Sequence, residues 1–123
     1  MIEGRPLEEL FVNAAEGLVE LTIDPVDLRA DTRARVCVSA NDRDALLVSW
    51  LNELLFLLDT RGFLPRQVAI GHLSNIELDA DLMGDTIDSE GHRVRRMIKA
   101  ATYHQLTVRQ VEGLWEARVI LDF

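Results

Sequence analysis

With 123 residues, 48% of them apolar and 28% charged, the chain can build the core of one ordinary domain and solvate its surface, which excludes wholesale disorder. A formal net charge of −8 argues against direct RNA or DNA binding, which runs on Lys and Arg neutralising phosphates, unless the 13 basic residues gather on one face. The lone cysteine, Cys37, excludes an internal disulfide and a thiolate zinc site; residues 54–58, the longest apolar run, fall far short of the roughly 20 that cross a bilayer, and no apolar leader opens the chain, so a cytoplasmic, non-membrane protein is expected.

Leu7, Leu10, Phe11, Ala14, Ala15, Leu18 and Leu21 recur at helical spacing and predict a first amphipathic helix, with Pro6 at its first position and Glu8 and Glu9 at its positive end. Residues 32–40 read as a strand in which Ala34, Val36, Val38 and Ala40 alternate with Arg33, Arg35, Cys37 and Ser39. Cys37 is expected to be a small packed side chain. Asn41 or Asp42 can cap a second helix over residues 43–60, with Leu46, Leu47, Trp50, Leu51, Leu54, Leu55 and Leu58 facing the core and Gly62 ending it. Five strands are expected after it. Residues 67–73 and 75–83 form a hairpin, residues 84–91 a polar mobile loop, and residues 95–103, 104–111 and 114–122 the rest, with a tight turn at Glu112-Gly113. Short connections favour antiparallel pairing. The expected fold is a single α+β domain over residues 1–123, a two-layer sandwich with two helices on one face of a mainly antiparallel sheet.

No nucleotide-binding glycine loop and no Ser-His-acid or Cys-His arrangement stands out, so the chain is not expected to be an enzyme and no residue is assigned as catalytic. His72, His92 and His104 lack metal-ligand spacing. Asp79 and Asp81 share one face of a strand; the plain reading is the solvent face of an edge hairpin, with Glu77 as a further member. A hydrolytic metal site built on Asp79, Asp81 and Asp122 would lack a nucleophile–base pair. Lys99 stands amid Met97, Ile98, Ala100 and Ala101 in a strand expected to be largely buried. It is either a snorkelling edge lysine or a cation held near a carboxylate or an interface. Asp122 follows Val119-Ile120-Leu121; it is either a strand-end charge in water or, with main-chain oxygens beside it, a donor to a hard cation.

Three segments, in order and covering almost the whole chain, resemble the archease family. They are Pro6-Leu7-Glu8-Glu9-Leu10-Phe11-Val12-Asn13-Ala14-Ala15-Glu16-Gly17, then Ser49-Trp50-Leu51-Asn52-Glu53-Leu54-Leu55-Phe56-Leu57-Leu58-Asp59, and finally Ile98-Lys99-Ala100-Ala101-Thr102-Tyr103-His104 with Trp115-Glu116-Ala117-Arg118-Val119-Ile120-Leu121-Asp122-Phe123. The second and third are specific; the first is mostly amphipathic-helix composition. The resemblance implies a two-layer sandwich that serves a GTP-dependent RtcB-type RNA ligase in tRNA splicing and RNA repair, promoting its guanylylation and turnover. It also implies, as an alternative, a chaperone or specificity modulator of a tRNA-modifying enzyme such as a methyltransferase.

The same resemblance implies a divalent metal, calcium, held by an aspartate of an N-terminal strand, by Asp122, and by the carbonyl of Phe123, with Lys99 matching the family's lysine. One departure matters. Family members open on a strand of the type His-Thr-Ala-Asp, whereas this chain opens at Met1-Ile2-Glu3-Gly4 just ahead of the first helix. That strand is expected to be missing, and Glu3 does not stand at the place of its aspartate. The protein is then expected to act through its C-terminal end, docking an acidic surface on a basic enzyme.

Overall fold

β1 (Ile2–Gly4) opens the computed structural model, which describes residues 2–87, 94–95 and 97–123. The sequence predicts no strand here, because three residues are too few to show an alternation. Pairing makes it one: β1 lies antiparallel to β6 (Leu114–Asp122), with Ile2 opposite Ala117 and Gly4 opposite Trp115. A short N-terminal strand is therefore present. Gly4 is where it passes under the first helix, and a Cβ there would collide with the backbone of Leu10.

Helix α1 spans Leu7–Thr22, one residue later than Pro6 suggests; Pro6 takes the extended N-cap position (φ −77°, ψ −165°) and its carbonyl accepts the Glu9 N–H at 3.1 Å. Leu10, Phe11, Ala14, Ala15, Leu18 and Val19 are buried. Leu21, expected in the core, is 41% exposed, because Val19 and Thr22 continue the buried stripe and rotate it outward. The helix end is closed from a distance: the Arg95 N–H donates to the Thr22 carbonyl (2.6 Å) and its Nη1 to the Glu20 carbonyl (3.0 Å). Cations suit the negative end of a helix.

Helix α2 (Arg43–Arg61) starts where Asp42 caps it, Oδ1 accepting the Ala45 N–H at 2.8 Å, and stops at Gly62, whose φ of +64° is the left-handed conformation glycine tolerates. It buries Val48 and Leu57 beyond the predicted face, because it packs on β2, β3, β4, β5 and α1. Trp50 is fully buried and its indole Nε1 donates to the Phe11 carbonyl of α1 at 2.9 Å.

The strands divide into two three-stranded antiparallel sheets, ordered β1-β6-β5 and β2-β4-β3. The second comprises β2 (Thr32–Ser39), β3 (Phe63–Leu73) and β4 (Glu77–Thr86). Its hairpin turn lies one to two residues later than predicted, where the Ser74 Oγ accepts the N–H groups of Ile76 (3.3 Å) and Glu77 (3.0 Å). β4 is central rather than an edge. Leu78, Ala80 and Leu82 face the helices, while Asp81 is exposed with Arg35 Nη1 at 3.6 Å. The same period of two turns Cys37 outward, opposite Asp79; it is exposed rather than packed. Of the loop expected over 84–91, residues 84–86 belong to β4, and residues 88–91, like His92, lie outside the described residues.

The first sheet carries the other difference. Residues 95–103 and 104–111 are not two strands. β5 is one strand, Ala100–Val111, interrupted: Thr102 pairs with Ile120 and Thr107 with Arg118, so four residues bulge opposite Val119, and Gln105 takes a φ of +52°. Among the described residues, four strands therefore follow α2. The two-helix α+β architecture stands as expected.

Candidate functional site

β5 and β6 meet in a hairpin whose turn residues Glu112 (φ +50°) and Gly113 (φ +81°) have the left-handed backbone that two-residue loops require. At the far end of that pair, Ala100 lies opposite Asp122, and the Lys99 N–H donates to the Asp122 carbonyl at 2.7 Å. Two residues 23 positions apart in the chain thus meet at one strand end. Both are exposed, while Ile98 and Ala101 beside Lys99 are buried. Lys99 is not inside the core; its ammonium stands in water just ahead of β5. Phe123 follows, 51% exposed.

What fixes this end is a contact with α2. The Asn52 side chain takes both backbone groups of Ala101: Nδ2 donates to its carbonyl (3.1 Å) and Oδ1 accepts its N–H (2.7 Å). A side-chain amide so placed acts as one more rung of sheet pairing on the first turn of β5. The sequence gives Asn52 no role; its one signal is a polar residue within the apolar helix 43–60.

α2 packs on β5, and its contacts show it running in the same sense as β6. At one end the Arg43 guanidinium lies over the Trp115 ring, 4.5 Å from its centroid; further along, Asn52 holds Ala101, which pairs with Leu121. One helical turn beyond Asn52, about 6 Å on, is Phe56, 57% exposed. Two residues before Ala101 in the chain, just ahead of β5, is Lys99, and two before that is Met97, 58% exposed. Met97 and Phe123 are thus exposed apolar residues close in the chain to Lys99 and Asp122, and Phe56 is a third, one helical turn beyond the Asn52 clamp.

Calcium takes six to eight oxygens. Asp122 and the Phe123 carbonyl offer two sources, the Asp122 carbonyl already accepts the Lys99 N–H, and among the described residues no three His, Cys, Asp or Glu side chains gather as a metal site. These residues do not make a complete site for the ion. Asp79 and Asp81 lie on the other sheet from Asp122, so the hydrolytic trio is not assembled. A cavity of about 840 Å³ forms a groove between α1 (Ala14, Gly17, Leu21) and β6 (Val119, Leu121). No described helix is long and apolar enough to cross a membrane.

This is a small α+β sandwich whose singular surface is a strand end clamped by a helix. The chain belongs to the archease family, which it matches over residues 1–123. The archease of Methanothermobacter thermautotrophicus is 39% identical over 122 residues, covering 97% of this chain and 86% of that one. That of Pyrobaculum islandicum is 34% identical over 123 residues, 97% and 84% respectively. The solution structure of Methanobacterium thermoautotrophicum protein 1598 superposes with a TM-score of 0.75 at 33% identity, covering 97% of this chain and 86% of that one. A Thermotoga maritima archease, described as a possible chaperone, shares the fold with a TM-score of 0.67 at 19% identity, covering 99% and 87%.

Proposed function

We propose that the protein is a cytoplasmic accessory factor of a GTP-dependent RtcB-type RNA ligase, promoting the ligase's guanylylation and turnover in tRNA splicing and RNA repair, and that it acts by contact rather than by chemistry of its own. The observation that carries this reading, beyond family membership, is the bond from the Lys99 N–H to the Asp122 carbonyl. It brings two positions marked by the resemblance to one exposed end. Asp122 presents its carboxylate to the ligase, and Lys99 contacts the partner or its nucleotide. Weak divalent-cation binding by Asp122 and the Phe123 carbonyl, with water completing the shell, belongs to the proposal, but no step depends on it.

Guanylylation of the ligase with and without this protein is the direct test. Asp122→Ala should abolish the stimulation and leave the melting temperature unchanged; full stimulation by that variant would remove Asp122 from the role. Calcium titration should give a dissociation constant on the order of 10⁻⁴ M or weaker. Micromolar binding would mean that donors beyond these two take part. Stimulation of a tRNA methyltransferase in place of the ligase would move the reading to a chaperone or specificity modulator.

A further inference from the structure

Lys99 is the only lysine in the chain; Met97 lies two residues before it, Phe123 follows its partner Asp122, and Phe56 lies one helical turn beyond Asn52, all three exposed. Exposed aromatic and methionine side chains gathered at one end are unusual on a monomer surface, and such residues supply the anchors of protein interfaces. The rim has a sign. Glu53 and Asp59 lie one helical turn to either side of Phe56, and Asp122 directly precedes Phe123, so both aromatic side chains have carboxylates as near neighbours in the chain. The whole chain carries −8.

We propose that Phe56 and Met97, with Phe123 beside them, are the apolar anchors that seat this end of the molecule on its enzyme partner, and that the partner presents an apolar socket rimmed by Arg and Lys. The identity of the partner as the RNA ligase rests on the function proposed above. The division of labour follows from the chemistry. The carboxylate rim steers the encounter with a basic surface. Burial of the two anchors slows dissociation, and seating them places Lys99 and Asp122 against the enzyme. The anchors set affinity, whereas Lys99 and Asp122 set the effect on the bound ligase. Anchor variants should therefore change how much protein is needed, and Asp122 variants how much stimulation is reached.

The test is the concentration dependence of ligase guanylylation for the wild-type protein and for Phe56→Ala, Met97→Ala and the double variant. Both side chains are more than half exposed, so melting temperatures should stay near wild type. The double variant should need roughly tenfold more protein or more for half-maximal stimulation, with the plateau retained. Val26→Ala, an exposed apolar residue (82%) on the short turn after α1, should leave the curve unmoved. Raising ionic strength should shift the wild-type curve to higher concentration. An unchanged half-point in the double variant overturns the docking proposal while leaving the accessory function standing; so does an equal shift from Val26→Ala. Absence of wild-type stimulation at any concentration overturns the accessory function, and the docking proposal falls with it. Amine acetylation gives an independent reading, because Lys99 is the sole lysine: the ligase should protect it, and unaltered reactivity in the complex counts against the docking.

Discussion

At the scale of single residues, Asn52 has the clearest consequences. It spans a sequence separation of 49 to satisfy the Ala101 N–H and carbonyl, both part-buried, at the point where β5 begins. Replacing it by alanine strands both groups, and a buried polar group left without a partner costs about 1–3 kcal/mol. Asn52→Ala should therefore lower stability by roughly 2 kcal/mol in urea unfolding followed by far-ultraviolet circular dichroism, and hydrogen exchange should speed up at the Ala101 amide. Asn52→Asp should recover only part of the loss, since its carboxylate keeps the acceptor for the N–H but sets an oxygen against the Ala101 carbonyl. An Asn52→Ala protein as stable as wild type would show that water replaces the clamp at no cost. No periodicity or motif could have announced this residue, because its bond is to backbone far along the chain. Lys99 and Asp122 were legible only through the family resemblance; spacing alone left each with a plain alternative.

The elements divide by where their causes lie. α1, α2, β2 and β6 were readable because local patterns specify them: apolar residues at three- and four-residue steps, strict alternation, an Asp cap, a Gly stop. β1 was not, since only the edge of β6 makes three residues a strand. The bulge that turns two predicted strands into one, and the division of the sheet in two, likewise depend on which strand is the neighbour. Cys37 is a milder case, in that the alternation pointed it outward while its small apolar nature argued for burial. Between elements, the bond from the Trp50 indole to the Phe11 carbonyl ties α2 to α1 inside the core. Trp50→Phe keeps most of the apolar bulk but loses that donor and leaves a small void. The expected cost is about 1–3 kcal/mol, read as a fall in urea midpoint without a change in slope. A change in slope would mean that the helices had separated in the native state.

For the molecule as a whole, the question is what keeps two sheets that share no strand in one cooperative unit. The helices do most of it, since α2 packs on β5 of one sheet and on all three strands of the other. Arg43 adds a second tie at the start of α2. Its Nε and Nη2 donate to the Asn75 Oδ1 in the β3–β4 turn (3.2 and 2.9 Å), while its guanidinium lies over Trp115 of β6. One side chain thus touches both sheets, and the delocalised fork of arginine suits both contacts in a way that lysine would not. A double-mutant cycle of Arg43→Ala and Trp115→Leu isolates the ring contact, for which a coupling of about 0.5–1 kcal/mol is expected at a partly exposed site. Arg43→Ala alone should cost more than that, because it also removes the Asn75 bonds, so Asn75→Ala should account for part of the remainder. Unfolding of Arg43→Ala should nevertheless stay a single transition, since the apolar face of α2 still bridges the sheets. Two separated transitions would show instead that the arginine, not the helix core, holds the sheets together. The strand end of Lys99 and Asp122 would then owe its position to a contact at the opposite end of α2.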